Sequence, residues 1–179
     1  IHPAKYVKNA LTIDKPSSFT KMEAFAKGLF QVQDESSMMV VQVLDPKPGE
    51  LVIDVCSAPG GKATHIAELM QNKGQVIARD IHEHKIKLIE EAALRLGIDI
   101  IKAEVFDAQE QDMELTGKAD GVLVDAPCTG LGIVRRKPDI KWTRSLKDSD
   151  ELVKIQKRIL YTSSRYVKPG GVLVYSTCT

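Results

Sequence analysis

Two cysteines and an aspartate are the residues through which this sequence can do covalent chemistry. Cys128 closes the run Asp125-Ala126-Pro127-Cys128, and Cys178 closes Ser176-Thr177-Cys178. Each follows an apolar run, at 122–124 and 172–175, of the kind that delivers residues to the ligand crevice of an open α/β sheet. A single thiol at such a place is accounted for by packing. Two thiols, with a carboxylate three residues before the first, point instead to attack on an electrophilic ring carbon, a task suited to a soft, polarizable thiolate.

The elements that must position these residues alternate along the chain. Strand-like runs fall at Leu51–Val55, Gln75–Ala78, Ile100–Val105, Gly121–Val124 and Gly171–Tyr175. A helical pattern from Ser36 or Ser37 to about Leu44 precedes the first, and others lie between most of them: Lys62–Met70, Glu83–Leu96 closed by Gly97, and about Ser149–Val167 closed by Lys168-Pro169-Gly170-Gly171. This order predicts βαβ units and a doubly wound α/β fold around a mostly parallel sheet. Residues 1–30 read as a linker or the end of an upstream module, with a short extended piece at Gly28–Val32. A chain of 179 residues, 43% hydrophobic and 27% charged, suits one such domain. Its first residue is Ile1 and its last strand-like run halts at Cys178-Thr179, so a fragment of a longer chain, truncated at the C-terminus, is expected.

No apolar run approaches a membrane span, and three cysteines without framework spacing predict reduced thiols in a cytoplasmic protein. A net charge of +1 neither requires nor excludes a nucleic-acid partner, because a local basic patch can sit on a neutral total.

After the first strand comes Asp54-Val55-Cys56-Ser57-Ala58-Pro59-Gly60-Gly61-Lys62 and then a helix, a place where backbone N–H groups meet an anion or a polar ligand. A phosphate-binding P-loop needs Gly where Cys56 stands and Ser or Thr where Ala63 stands. The dinucleotide Gly-x-Gly-x-x-Gly is absent. S-adenosyl-L-methionine, whose amino-acid end carries a carboxylate and an ammonium, needs a close turn without a deep phosphate nest. Asp80, ending the second strand run, is placed to accept both ribose hydroxyls, and Asp107, after the third, to meet the adenine amino group. Each acid also reads as a helix cap or a solvated loop residue. Lys62 reads as a contact to the cofactor carboxylate or as a first-turn surface lysine, and Cys56 as packing beside the turn.

The motifs Asp54–Lys62, Asp125-Ala126-Pro127-Cys128-Thr129-Gly130 and Tyr175-Ser176-Thr177-Cys178 resemble three signatures of the RNA cytosine-5 methyltransferases. Gly28–Ser37 resembles the start of the catalytic domain in the RsmB (Sun/Fmu) branch, which modifies small-subunit ribosomal RNA. The resemblance covers residues 25–179 and implies a Rossmann-like methyltransferase fold, with an incomplete catalytic domain over 31–179. It implies a cofactor loop of Cys56, Ser57, Ala58, Pro59, Gly60, Gly61 and Lys62, with Asp80 and Asp107 on the adenosine half and Asp125 between cofactor and base. By the same resemblance Cys178 is the nucleophile and Cys128 assists product release; spacing alone does not say which cysteine attacks. Family members carry more chain after the second cysteine and, in this branch, an upstream RNA-binding domain.

The implied reaction explains the residue types. Cytosine C5 is a poor nucleophile until a thiolate adds to C6, and an acid at the N3 edge makes C6 more electrophilic. The target base must be unstacked, so a single-stranded or flipped cytosine in ribosomal RNA is the expected partner. Arg135, Arg136 and Lys137 read as RNA phosphate contacts or as a solvated basic loop, and Trp142 as a base-stacking or loop-packing residue. The histidines show no metal-ligand spacing with the cysteines, so no metal is assigned. A transfer-RNA or DNA substrate and a non-catalytic RNA- or cofactor-binding module are the competing readings, and the oligomeric state stays open.

Overall fold

Alternation along the central strands explains how one sheet builds two cores. The computed structural model describes residues 1–14, 18–130, 132, 134 and 146–178, with backbone alone for 146–149. In chain order the elements are β1 (His2–Pro3), β2 (Leu11–Thr12), α1 (Glu23–Ala26), α2 (Glu35–Leu44), β3 (Leu51–Asp54), α3 (Gly61–Leu69), β4 (Gln75–Asp80), α4 (Glu83–Arg95), β5 (Ile101–Val105), β6 (Ala119–Asp125), α5 (Leu146–Ser164) and β7 (Val167–Ser176). Strands β1 and β2 form a small antiparallel pair, and the other five make a parallel sheet in the order β5-β4-β3-β6-β7.

Val52, Val76, Ala78, Leu123 and Val174 point to one face, where they pack with Val41 and Leu44 of α2, Ala63, Ile66 and Ala67 of α3, and Ile86 and Ile89 of α4. Ile53, Ile77, Val122 and Val124 point to the other face, against Ile159 of α5 and against Ala108 and Tyr166. Adjacent residues therefore serve opposite cores, as the two-residue period of a strand demands. Both faces are covered, which is why the central strands read as continuous apolar runs. The chain winds from β3 outward to β5 and then returns to place β6 on the other side of β3. This doubly wound Rossmann-like order puts the topological switch point between β3 and β6, whose last residues are Asp54 and Asp125.

The expected elements are present with shifted ends. The last helix stops at Ser164 rather than Val167, and β7 begins at Val167 and runs through Lys168-Pro169-Gly170-Gly171. An edge strand tolerates Pro169, whose missing N–H costs little outside a central ladder. Gly171 fits because a Cβ there would lie 2.8 Å from the Asp120 carbonyl oxygen. The extended piece expected at Gly28–Val32 is not a strand; the chain instead leaves α1 through Gly28 at φ +70. A Cβ at Gly28 would fall 1.8 Å from the Arg95 carbonyl oxygen, and the Arg95 guanidinium donates to the Phe25 and Phe30 carbonyls. This stretch is thereby laid against the end of α4. No helix among the described residues is long and apolar enough to cross a membrane.

Arg79 ties the sheet to the loop after β5. Only 3% exposed, it bonds Glu104 at 2.7 Å and Asp112 at 2.6 Å, and its guanidinium lies 4.0 Å above the Phe106 ring. The Tyr166 hydroxyl accepts from the Asp112 N–H and donates to the Glu110 carbonyl, which closes the same loop from α5's side. Removing the guanidinium leaves two carboxylates facing each other, partly hydrated. Arg79→Met should therefore cost about 3 kcal/mol, the low end for breaking a buried ion pair. Urea unfolding tests this, and a loss under about 1 kcal/mol would show that the pair behaves as a surface one.

Candidate active site

The carboxyl ends of β3, β4, β6 and β7 bring most of the expected site residues together. After β3 the chain makes a tight turn: the Ser57 N–H donates to the Arg79 carbonyl at 2.7 Å, and the Gly60 N–H to the Ser57 carbonyl at 2.8 Å. The Ala58–Pro59 bond is cis. Gly60 precedes α3 at φ +98, a conformation that favours glycine, and a Cβ there would make a tight contact, 3.1 Å from the Ile89 Cα. Ser57 and Gly60 are buried, Pro59 is exposed, and Cys56, Ala58, Gly61 and Lys62 are half-buried.

Lys62, in the first turn of α3, reaches across the switch point to Asp125 at the end of β6, with Nζ and Oδ2 2.6 Å apart. The other oxygen of Asp125 accepts from the Ser176 hydroxyl at 2.7 Å. The pair thus links three elements in one crevice. Asp80, 8% exposed, accepts from the His82 N–H at 3.0 Å and lies 3.6 Å from the Lys85 ammonium. Asp107 accepts from the Gln109 N–H at 2.9 Å. Both acids therefore also make the turn contacts of the plainer reading, one of them at the start of α4.

Cys128 and Cys178 are joined as a disulfide with their Cα atoms 6.2 Å apart. This corrects the expectation of reduced thiols. The cause is register: Asp125 of β6 pairs with Ser176 of β7, and the Ala126 N–H donates to the Ser176 carbonyl, so both cysteines leave the sheet side by side. A Cα separation of that size is one a disulfide spans without moving the backbone. Cys56 is the free thiol, and burial, followed by the charges of Asp54, Asp80, Asp125 and Asp107, pushes it up to about 12. It is an inert thiol at neutral pH, in keeping with packing rather than attack.

Four residues of the site drew no functional reading from the sequence. Asp54 is fully buried, and neither of its oxygens has a hydrogen-bond partner of normal geometry. A lone carboxylate ending an apolar strand was the available signal. Ser176, on Asp125, sits two residues before Cys178 in the quoted motif. Arg79 precedes Asp80, where an arginine inside an apolar run signals a buried ion pair. Gln156 of α5 donates to the Pro127 carbonyl at 2.8 Å, and nothing in the sequence pattern marks it. Arg135, Arg136, Lys137 and Trp142 lie outside the described residues. Among the described residues no group of three His, Cys, Asp or Glu side chains could hold a metal. A separate cavity of about 430 Å³, lined by Leu44, Asp120 and Lys168 among others, lies by the amino end of β6, away from these residues.

Burial, and next the charge of Asp125, raise the Asp54 carboxyl from the ordinary 3.8 to about 7, against the opposing effects of Ser57, Lys62 and the Cys56 N–H. A raised folded-state value means that the folded protein holds this proton more tightly than the unfolded chain does. Stability from this group is therefore present at low pH, falls as pH rises between 3.8 and about 7, and is lost above that. Asp54→Asn removes the ionisation, so the variant should gain on the parent across this window and hold a constant lead above it. Urea midpoints taken from about pH 4 to about pH 8 read the effect. A difference that stays flat across the window would mean that Asp54 is ionised throughout.

Comparison with known proteins places this geometry in a family. The family described as "16S rRNA methyltransferase RsmB/F" matches residues 41–179. The "Probable ribosomal RNA small subunit methyltransferase B" of Bacillus subtilis is 54% identical over 156 residues, covering 87% of this chain and 35% of that protein. The "tRNA (cytosine(72)-C(5))-methyltransferase" of Pyrococcus horikoshii is 41% identical over 165 residues, covering 92% of this chain and 41% of that protein. A solved "Methyltransferase Homolog Protein" from Pyrococcus horikoshii superposes with a TM-score of 0.79 at 37% identity, covering 92% of this chain and 51% of that one. The chain thus spans between about a third and two fifths of the length of these curated relatives. With the family matched over most of its length, the chain belongs to the 16S rRNA methyltransferase RsmB/F family.

Proposed function

We propose that this chain carries the catalytic portion of an enzyme that transfers a methyl group from S-adenosylmethionine to C5 of a cytosine in 16S ribosomal RNA, through a covalent bond between Cys178 and C6. The observation that carries the reading is the adjacency of Cys128 and Cys178 beside Asp125. A binding module has no need of two thiols at one crevice next to a carboxylate.

The residues around the turn fit the cofactor. Asp54, Asp80, Asp107 and Asp125 are all near enough to Cys56 to act on its thiol, so the crevice is strongly acidic. A ligand with a sulfonium and an ammonium complements that field. When bound, S-adenosylmethionine supplies an electrophilic methyl group. The loop from Cys56 to Lys62 would hold its amino-acid end, and Asp80 and Asp107 its ribose and adenine.

The steps assigned to the chain's own residues are these. Cys178, as the thiolate, adds to C6 of the unstacked base, while a proton passes from the Lys62 ammonium through the Asp125 carboxyl to N3 and so draws electron density from C6, with the other Asp125 oxygen held by Ser176. Once C5 carries its methyl group, Cys128, as the thiolate, takes the C5 proton and becomes a thiol. The electrons of the C5–H bond re-form the C5–C6 double bond, and the Cys178 sulfur leaves. The disulfide state cannot begin this sequence. A dithiol reductant must first supply two electrons and two protons to give the two thiols, becoming a disulfide itself.

In reduced full chain, Cys178→Ala should abolish the covalent RNA adduct and methyl transfer, and Cys128→Ala should let the adduct form and persist. Denaturing gels with labelled 30S-derived RNA measure both. An adduct in Cys178→Ala but not in Cys128→Ala would reverse the assignment. The transfer-RNA activity named for the Pyrococcus horikoshii relative supports a second reading of the substrate alone. Methylation of transfer RNA in preference to 30S-derived RNA would establish that reading in place of the first.

A further inference from the structure

We propose that Gln156 is a positioning residue for Cys128, acting through the Pro127 carbonyl; the step it serves, product release, rests on the function proposed above. Where β6 ends, the chain must turn Cys128 toward Cys178, two residues past the end of β7. The Ala126 N–H is held by the Ser176 carbonyl at 2.9 Å, so the chain is tied to β7 up to that residue. Pro127 is exposed and has no N–H to pair. Its ring sets φ, which leaves ψ as the one soft dihedral of Pro127 itself.

The Gln156 side-chain amide removes that freedom by donating to the Pro127 oxygen at 2.8 Å. A peptide unit is planar, so fixing the Pro127 carbonyl also fixes the direction of the Cys128 N–H and Cα at its other end. The donor is itself well anchored. Ile159 of α5 is 4% exposed in the core, Ile155 packs against the same cluster, and Arg158 and Thr162 both donate to the Gln109 carbonyl. A helix fixed between Ile155 and Thr162 therefore holds a rigid proline at the residue before the thiol. The bond lies at the surface and contributes little to folding, so it can be removed without unfolding the protein.

Three full-chain variants test this: Gln156→Leu, Gln156→Glu, which keeps the shape without a donor, and Gln156→Lys, which restores a donor. The first readout needs no RNA. Reduced protein is treated with glutathione disulfide, and closure of the Cys128–Cys178 bond is followed as two glutathione thiols released for each disulfide formed. The second is the amount of covalent RNA adduct at steady state. Leu and Glu should slow the closure step by about tenfold, the rate equivalent of one well-formed hydrogen bond, and should accumulate adduct at an unchanged Tm. Lys should recover both. Closure and adduct levels within about twofold of the parent for Leu would overturn the proposal. Slowed closure with no adduct in any protein, the parent included, would support the hold of Gln156 on Cys128 while refuting the covalent reading of function.

Discussion

The parallel pairing of β6 between β3 and β7 is the constraint on which the site depends. β6 ends at Asp125, and its neighbours on either side end at Asp54 and Ser176. Because the strands run in one direction, their carboxyl ends share a rim, and residues far apart in sequence meet there without any loop having to reach. Lys62 crosses from the helix after β3, and the Ser176 hydroxyl crosses from β7, so both oxygens of Asp125 are engaged by opposite neighbours. A slip of one residue between β6 and β7 would turn Ser176 to the other face and separate the cysteines. The register therefore does at this crevice what a metal or a long ordered loop does elsewhere.

The sheet was legible because its strands are apolar on both faces and its helices have clear stops. Gly97 closes α4, and Pro46 and Pro48 forbid α2 from continuing. The shifted ends have local causes. Lys168-Pro169-Gly170-Gly171 reads as a helix stop, yet at a sheet edge the same residues continue a strand, and only the tertiary neighbours decide between the two. Gly28–Val32 carries apolar residues in a strand-like run, but the Arg95 carbonyl and guanidinium claim its backbone from across the fold.

The candidate site divides in the same way. Residues in compact motifs, from Cys56 to Lys62 and from Asp125 to Cys128, announce themselves by type and spacing. Residues that act across elements do not. The pairing of Lys62 with Asp125 joins positions 63 apart, and that of Gln156 with Pro127 joins positions 29 apart. The motif that marks Lys62 does not name its partner, and nothing local distinguishes Gln156 from a solvated helix residue. The disulfide escaped for a related reason: the arithmetic of cysteine count weighs compartment and framework spacing, whereas the bond depends on strand register.

The charge of the crevice follows from the same register and limits what can occupy it. Asp54, Asp80, Asp107 and Asp125 converge around Cys56, and Lys62, already paired with Asp125, is the cation given to the turn itself. An anion, such as the pyrophosphate of a dinucleotide, would meet carboxylates at the strand ends where a P-loop offers amides and a free lysine. A cationic ligand meets the opposite case. It relieves the repulsion between Asp54 and Asp125 that burial makes costly, and in doing so it favours the ionised form of Asp54. The same field opposes a thiolate at Cys56, inside the ring of acids, whereas Cys178 is exposed at the end of β7. The acids that suit the crevice to a positive ligand thus keep its innermost cysteine a thiol, which agrees with the proposal that the nucleophile is drawn from the pair at the rim.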